Sequence, residues 1–158
     1  HNCLVGSEMC IRDRPCFDLD KLIEDKEKMS ISDIFQKYNE KYFRDLESIT
    51  LKQYSEESNF VISTGGGCVL RDQNLYILRK GLVIYLKISI ETQFERVKNR
   101  THRPLLNNVT KDTLVQLDKE RGSVYSGISN IEVDVSNLDK EDVLSTIIKR
   151  LESYSEKN

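Results

Sequence analysis

Short apolar runs alternate along the chain with longer stretches in which apolar positions recur every three or four residues. The runs are rich in β-branched side chains and predict buried strands at residues 59–64, 82–86 and 131–135. The helical spacing predicts helices at about residues 20–41, 40–57, 90–99 and 110–121, with a further helix after Asp139. This alternation is typical of an α/β fold in which a parallel sheet is flanked by helices.

Length, charge and cysteine content narrow the class of protein. A chain of 158 residues fits one compact domain. The net charge of −2 gives no general attraction for nucleic acid or an anionic membrane, and no apolar run approaches the length of a membrane span. The four cysteines form no C-x-x-C pair and only two histidines accompany them, which argues against a structural zinc site. We therefore expect free thiols and a cytoplasmic protein.

The first thirteen residues show neither a strand nor a helix that would cover a sheet. Their sequence resembles translated sequencing-adapter read-through more than natural protein. We expect residues 1–13 to be an artefactual or disordered segment, with the native chain joined near Arg14 and the domain covering residues 14–158.

Two carboxylates stand at the start of the first helical stretch. In an extended segment Leu19 would point into the core, while Asp18 and Asp20 would share the opposite face. One of them could then meet the water shell of a metal ion and the other a substrate hydroxyl. Alternatively, Asp20 simply caps the helix that follows.

Arg44 and Glu47 lie one helical turn apart, the spacing at which helix side chains meet. Glu47 falls on the apolar stripe of its helix, so its carboxylate needs a partner. If Glu47 holds Arg44 from behind, the rest of the planar guanidinium can bind a ligand's carboxylate. The alternative is a surface ion pair of little consequence.

Three successive glycines, Gly65, Gly66 and Gly67, follow the first predicted strand. Without Cβ atoms they let the chain turn sharply and let a ligand approach bare main chain. Ligands of open α/β sheets bind at the carboxyl ends of strands, which is where this loop falls. We therefore interpret the loop as part of a binding site.

Several arginines are candidates for anion binding. Arg103 precedes Pro104 in a basic loop that could close over a polyphosphate, although a solvated loop has the same composition. Arg121 is expected near the end of a helix, where a cation also complements the helix dipole. Arg96 precedes this loop on a predicted helix.

Taken together and in this order, these residues resemble the motifs of the shikimate kinases, from about Arg14 to the C-terminus. The family pattern joins an aspartate pair at a strand end, F-R-x-x-E on a helix, a G-G-G loop, R-P-L-L in a lid and R-x-x-x-Y. In this chain the five motifs stand as Phe17-Asp18-Leu19-Asp20, Phe43-Arg44-Asp45-Leu46-Glu47, Gly65-Gly66-Gly67, Arg103-Pro104-Leu105-Leu106 and Arg121-Gly122-Ser123-Val124-Tyr125.

The resemblance implies a P-loop fold and transfer of the γ-phosphoryl group of ATP to the 3-hydroxyl of shikimate, with Mg²⁺, by a monomer. It implies that Asp20 holds and deprotonates the hydroxyl, that Asp18 faces the water shell of Mg²⁺, and that Gly66 and its neighbours line the ring. It implies that Arg44 and Arg121 clamp the carboxylate of shikimate and that Glu47 braces Arg44. It also implies that Arg103 reaches the phosphates from a lid and that Arg96 lies near the adenine.

One feature departs from the family. Shikimate kinases begin with a strand and a G-x-x-x-x-G-K-[ST] loop that holds the phosphates, and no such motif occurs in this chain. The first strand, the loop and the first helix are therefore expected to be absent. A polypeptide of this sequence is expected to be inactive as a kinase. The alternatives are a kinase-like domain that only binds shikimate or a regulatory ligand, and a related gluconate kinase, against which the paired Arg44 and Arg121 argue.

Overall fold

The computed structural model describes residues 14–98 and 109–157. The chain divides into two compact units, one ending at Lys80 and the other beginning at Gly81. Each unit contains a pair of parallel strands with helices beside it. Among the described residues, none of the helices is both long enough and apolar enough to cross a membrane.

The first unit pairs two short strands and surrounds them with helices. Its elements are β1 (Cys16–Asp18), α1 (Leu19–Glu27), α2 (Ile31–Lys37), α3 (Glu40–Ser55), β2 (Val61–Ser63), a 3₁₀ helix (Gly66–Leu70) and α4 (Asp72–Leu78). Strand β1 runs parallel to β2, with Cys16 opposite Val61 and Asp18 opposite Ser63. The 3₁₀ helix therefore starts just beyond the carboxyl end of β2, at the same end of the sheet as the start of α1.

The core of the first unit lies between α1, α2, α3 and the 3₁₀ helix. It is built from apolar side chains that are almost fully buried: Leu19, Ile23, Ile34, Phe43, Leu46, Leu51 and Cys68. The strand residues themselves are only half-buried. The prediction that residues 59–64 form a buried strand was therefore right about the strand and wrong about its burial, because the described part of this sheet has two strands and an open edge.

The second unit is also built from a pair of parallel strands with helices beside it. Its elements are β3 (Ile84–Lys87), α5 (Ile90–Lys98), α6 (Lys111–Ile128), β4 (Ile131–Asp134) and α7 (Lys140–Lys157). Strand β3 is parallel to β4, and the alternating burial of β4 places Ile131 and Val133 inside. Asp139 accepts a hydrogen bond from the backbone N–H of Asp142 at 2.9 Å, which confirms the predicted cap of the last helix.

Two helix predictions need correction. The stretch at residues 20–41 forms two helices, because Lys28 adopts a left-handed conformation (φ 56°) and the Ser30 hydroxyl caps α2 by accepting from Asp33 N–H at 3.1 Å. Helix α6 continues to Ile128 instead of stopping near Arg121, since Gly122 keeps helical geometry. The parallel strands and flanking helices confirm the predicted α/β class.

Candidate active site

The two aspartates at the start of α1 do not share an extended face. Strand β1 ends at Asp18, and the Asp18 Oδ1 atom accepts hydrogen bonds from the backbone N–H groups of Asp20 (3.0 Å) and Lys21 (3.2 Å). Asp18 is thus the N-cap of α1, and Asp20 lies in its first turn. Both interpretations from sequence were wrong on this point, because the cap is Asp18 and not Asp20. The burial of Leu19 was predicted correctly.

The pairing of Arg44 with Glu47 is confirmed. Arg44 Nη1 donates to both carboxylate oxygens of Glu47, at 3.1 and 3.0 Å. The Glu47 side chain is 1% exposed and that of Arg44 16%, which rules out a surface ion pair. Burial raises the pKa of Glu47 above its ordinary value, and the nearby Arg44 guanidinium opposes this rise. The pair is therefore a desolvated one in which each charge depends on the other.

A third charged group, Glu40, was missed. Its Oε1 atom lies 3.4 Å from both Nε and Nη2 of Arg44. Unlike Glu47, Glu40 is well exposed, at 63% of its side chain. The spacing of four residues on α3 is a recognised ion-pair signal, so the sequence could have indicated this contact.

The glycine loop packs directly against these side chains. A Cβ atom on Gly67 would overlap the guanidinium of Arg44, whereas one on Gly65 would lie 3.7 Å from Asp20 Oδ1 and 3.9 Å from Glu47 Oε1. Within the described residues no glycine has a positive φ. The loop therefore needs glycine at position 67 for close approach to a side chain, not for an unusual backbone conformation.

Side chains beyond the predicted set hold the 3₁₀ helix in place. Asn74 is fully buried and donates from Nδ2 to the Cys68 carbonyl at 2.9 Å. Arg71 Nη1 contacts Asp45 Oδ1 at 2.6 Å and ties the end of the 3₁₀ helix to α3. These residues are separated in sequence by up to 26 positions, and no periodicity links them. Burial raises the pKa of the Cys68 thiol to about 12, so Cys68 is an unreactive cysteine that serves in packing.

The remaining predicted residues belong to the second unit or lie outside the described residues. Arg96 on α5 donates to the Val135 carbonyl at 3.3 Å. Arg121 lies within α6, and its Nε atom is buried with no hydrogen-bond partner among the residues that the structure describes. Tyr125 packs its ring on Tyr85 at 5.1 Å. Arg103 falls in the stretch 99–108, outside the described residues.

The first unit thus brings together Asp20, Arg44, Glu47 and the three glycines. The guanidinium of Arg44 is oriented by a buried carboxylate and faces main chain without side chains, an arrangement suited to a planar anion such as a carboxylate. In the described ranges there is no group of three or more His, Cys, Asp or Glu side chains that could hold a metal ion directly.

A family model, a sequence relative and two solved structures that match this chain all belong to the same family. The family model described as shikimate kinase matches residues 11–152. A shikimate kinase of Dictyoglomus turgidum is 42% identical over 142 residues, which cover 87% of this chain and 82% of that protein. The structure of shikimate kinase from Acinetobacter baumannii in complex with shikimate has a TM-score of 0.81 and 29% identity, covering 89% of this chain and 79% of the other. Shikimate kinase from Aquifex aeolicus has a TM-score of 0.78 and 34% identity, with coverages of 91% and 84%.

Proposed function

This chain belongs to the shikimate kinase family of phosphotransferases, and on that premise we propose that its first unit binds shikimate through the carboxylate of this acceptor. The observation that carries the proposal is the orientation of Arg44. Glu47 engages Nη1 from the buried side, and the main chain of Gly67 lies against the guanidinium. A guanidinium held in this way loses little freedom when it forms a bidentate pair with a carboxylate.

The other residues of the site follow from the position of the carboxylate. Asp20 lies beside Gly65 and receives the proton of the 3-hydroxyl as a general base. The backbone of Gly65, Gly66 and Gly67 lines the ring of shikimate. Arg121 keeps the carboxylate-binding role that the family resemblance implies, and its buried Nε atom has no hydrogen-bond partner among the described residues.

We assign the phosphoryl-donor side to the family's co-substrate ATP with Mg²⁺. In the family pattern Arg103 would contact the phosphates, Arg96 would lie near the adenine and Asp18 would face the water shell of Mg²⁺. The described residues do not by themselves fit a triphosphate, because the 158 residues contain no G-x-x-x-x-G-K-[ST] loop. The site of the first unit is therefore assigned to binding of the acceptor. We further propose a cytoplasmic monomer.

One observation favours a second function. The motif that cradles phosphates is not found in the 158 residues, whereas the pair of Arg44 and Glu47 is intact. A polypeptide of this sequence would then bind shikimate without turnover, as a binding domain of kinase-like fold.

Calorimetric titration of the chain with shikimate, with and without ATP and Mg²⁺, tests the proposal. We expect shikimate to bind alone, and Arg44→Ala to weaken this binding much more than that of ATP. Arg44→Lys should restore little of the affinity, because an ammonium cannot form the bidentate pair. Arg79→Ala, at an exposed arginine after α4, is the matched control and should bind like the unaltered chain. If a folded chain fails to bind shikimate, or if Arg44→Ala binds it normally, the assignment is wrong.

A further inference from the structure

Glu40 occupies the edge of Arg44 that Glu47 leaves open. The two buried contacts of Glu47 both go to Nη1, while Glu40 Oε1 faces Nε and Nη2. The Nε–Nη2 edge presents two parallel N–H donors and is one of the edges at which a guanidinium takes a carboxylate side-on. An internal carboxylate therefore stands where a ligand's carboxylate would bind.

The contact with Glu40 is much weaker than the one with Glu47. Both of its distances are 3.4 Å and involve a single oxygen, against 3.0 and 3.1 Å to the two oxygens of Glu47. Bidentate pairs of arginine and carboxylate are shorter, at about 2.7 to 2.9 Å. With 63% of its side chain exposed, Glu40 can return to water at little cost.

Once a ligand displaces Glu40 from Arg44, the Glu40 carboxylate is still stabilised by its position in the helix. It is the first residue of α3, next to the cap Asn39, whose Oδ1 accepts from Tyr42 N–H at 2.8 Å. A negative charge in the first turn is stabilised by the helix dipole whether or not it touches Arg44. Displacement thus leaves neither an unpaired buried charge nor a broken helix cap.

We propose that Glu40 is a specificity-determining residue that competes with the acceptor's carboxylate for Arg44 and is exchanged for it on binding. The proposal rests on the proposed function, because it takes the acceptor to be a carboxylate bound at Arg44. Only a ligand that offers an ionised, two-oxygen group replaces the Glu40 contact with a better one. A neutral or single-oxygen ligand gains nothing, so Glu40 discriminates against it.

The exchange predicts that removal of the Glu40 charge tightens binding. Glu40→Gln should lower the dissociation constant for shikimate about two- to fivefold, the factor expected for an exposed ion pair. It should not improve binding of the methyl ester of shikimate, which lacks the carboxylate charge. Glu56→Gln removes the same charge at the opposite end of α3, where Glu56 is the C-cap, and serves as the control.

Calorimetry with shikimate and its methyl ester, on the unaltered chain and both variants, measures these effects. If Glu40 instead braces Arg44 as Glu47 does, Glu40→Gln will weaken binding of shikimate. Weaker or unchanged binding overturns the exchange, while binding by the unaltered chain keeps the proposed function. An equal gain in Glu56→Gln would mean a general charge effect and would also overturn it.

A second measurement separates the inference from the identity of the acceptor. The side-chain ¹⁵Nε signal of Arg44 can be followed while benzoate, a simple planar carboxylate, is added. A larger response in Glu40→Gln than in the unaltered chain supports the exchange even if shikimate does not bind, and then the proposed function alone has failed. Equal responses in both chains overturn the exchange.

Discussion

Replacement of Gly67 by alanine tests the packing of the glycine loop against Arg44. A Cβ atom at position 67 would overlap Nη1, Nη2 and Cζ of Arg44, a separation that real structures do not tolerate. The loop cannot easily retreat, because Cys68 is fully buried and its carbonyl is held by Asn74. The guanidinium must therefore swing away from Glu47.

The size of the effect follows from what Glu47 loses. Its carboxylate is 1% exposed and accepts two hydrogen bonds from Arg44 Nη1. Removal of one partner of a buried ion pair costs about 3 to 5 kcal/mol. Because burial already raises the pKa of Glu47, uptake of a proton limits the loss, and we expect Gly67→Ala to destabilise the fold by about 2 to 4 kcal/mol. Displacement of the Arg44 guanidinium should also weaken shikimate binding by up to about 100-fold.

Gly65→Ala is the matched control. A Cβ atom there lies at ordinary contact distances from Asp20 and Glu47, and the backbone at Gly65 (φ −72°, ψ 158°) suits alanine. Both variants restrict the unfolded chain equally, so that contribution, about 0.4 to 1 kcal/mol, cancels in the comparison. Urea unfolding followed by circular dichroism gives the two stabilities. The reasoning is refuted if Gly67→Ala is as stable as Gly65→Ala, or if it binds shikimate as tightly as the unaltered chain.

Three further predictions concern the same unit and the whole chain. The raised pKa of Glu47 means that its stabilising contribution is present below its ordinary value of 4.5 and is lost as pH rises through the folded pKa. The unaltered chain should therefore lose stability relative to Glu47→Gln as the pH is raised from 4.5, and a gap in unfolding free energy that stays constant contradicts this. A double-mutant cycle of Arg71→Met and Asp45→Asn should give a small favourable coupling in urea unfolding, since both side chains are partly exposed. A coupling of zero would show that the 2.6 Å contact does not anchor the 3₁₀ helix. The 158-residue polypeptide should release ADP no faster with shikimate than without it in a coupled assay, because it contains no phosphate-cradling motif; shikimate-dependent turnover would disprove this.

The features of the site that the sequence predicted correctly are those that depend on residues close together in the chain. Glu47 falls on an apolar stripe, so its burial and its need for a cation one turn away could be inferred from helix geometry alone. The triple glycine after a β-branched run likewise indicated the end of the strand, although Gly66 and Gly67 begin a 3₁₀ helix and do not form an open loop. Both inferences use residues that are close in sequence and need no knowledge of tertiary contacts.

The parts that were missed or wrong depend on geometry that periodicity does not encode. The end of β1 is decided by whether the Asp18 carboxylate turns back to the first N–H groups of α1, and a D-x-D sequence permits this as readily as an extended strand. The anchors Arg71 and Asn74 act on α3 and on the 3₁₀ helix across the fold. The reason for glycine at position 67 is also tertiary, since it lies in the approach of a side chain from α3.

The contacts that orient Arg44 form a chain of dependence within the first unit. Asn74 and Arg71 fix the 3₁₀ helix, this helix places Gly67 against the guanidinium, and Glu47 holds the guanidinium from the buried side. Because these groups lie between residues 44 and 74, the acceptor side of the site can be oriented without a phosphate loop. Orientation of the phosphoryl donor has no such support in the described residues. The contacts that orient Arg44 for the acceptor are therefore all local to the first unit.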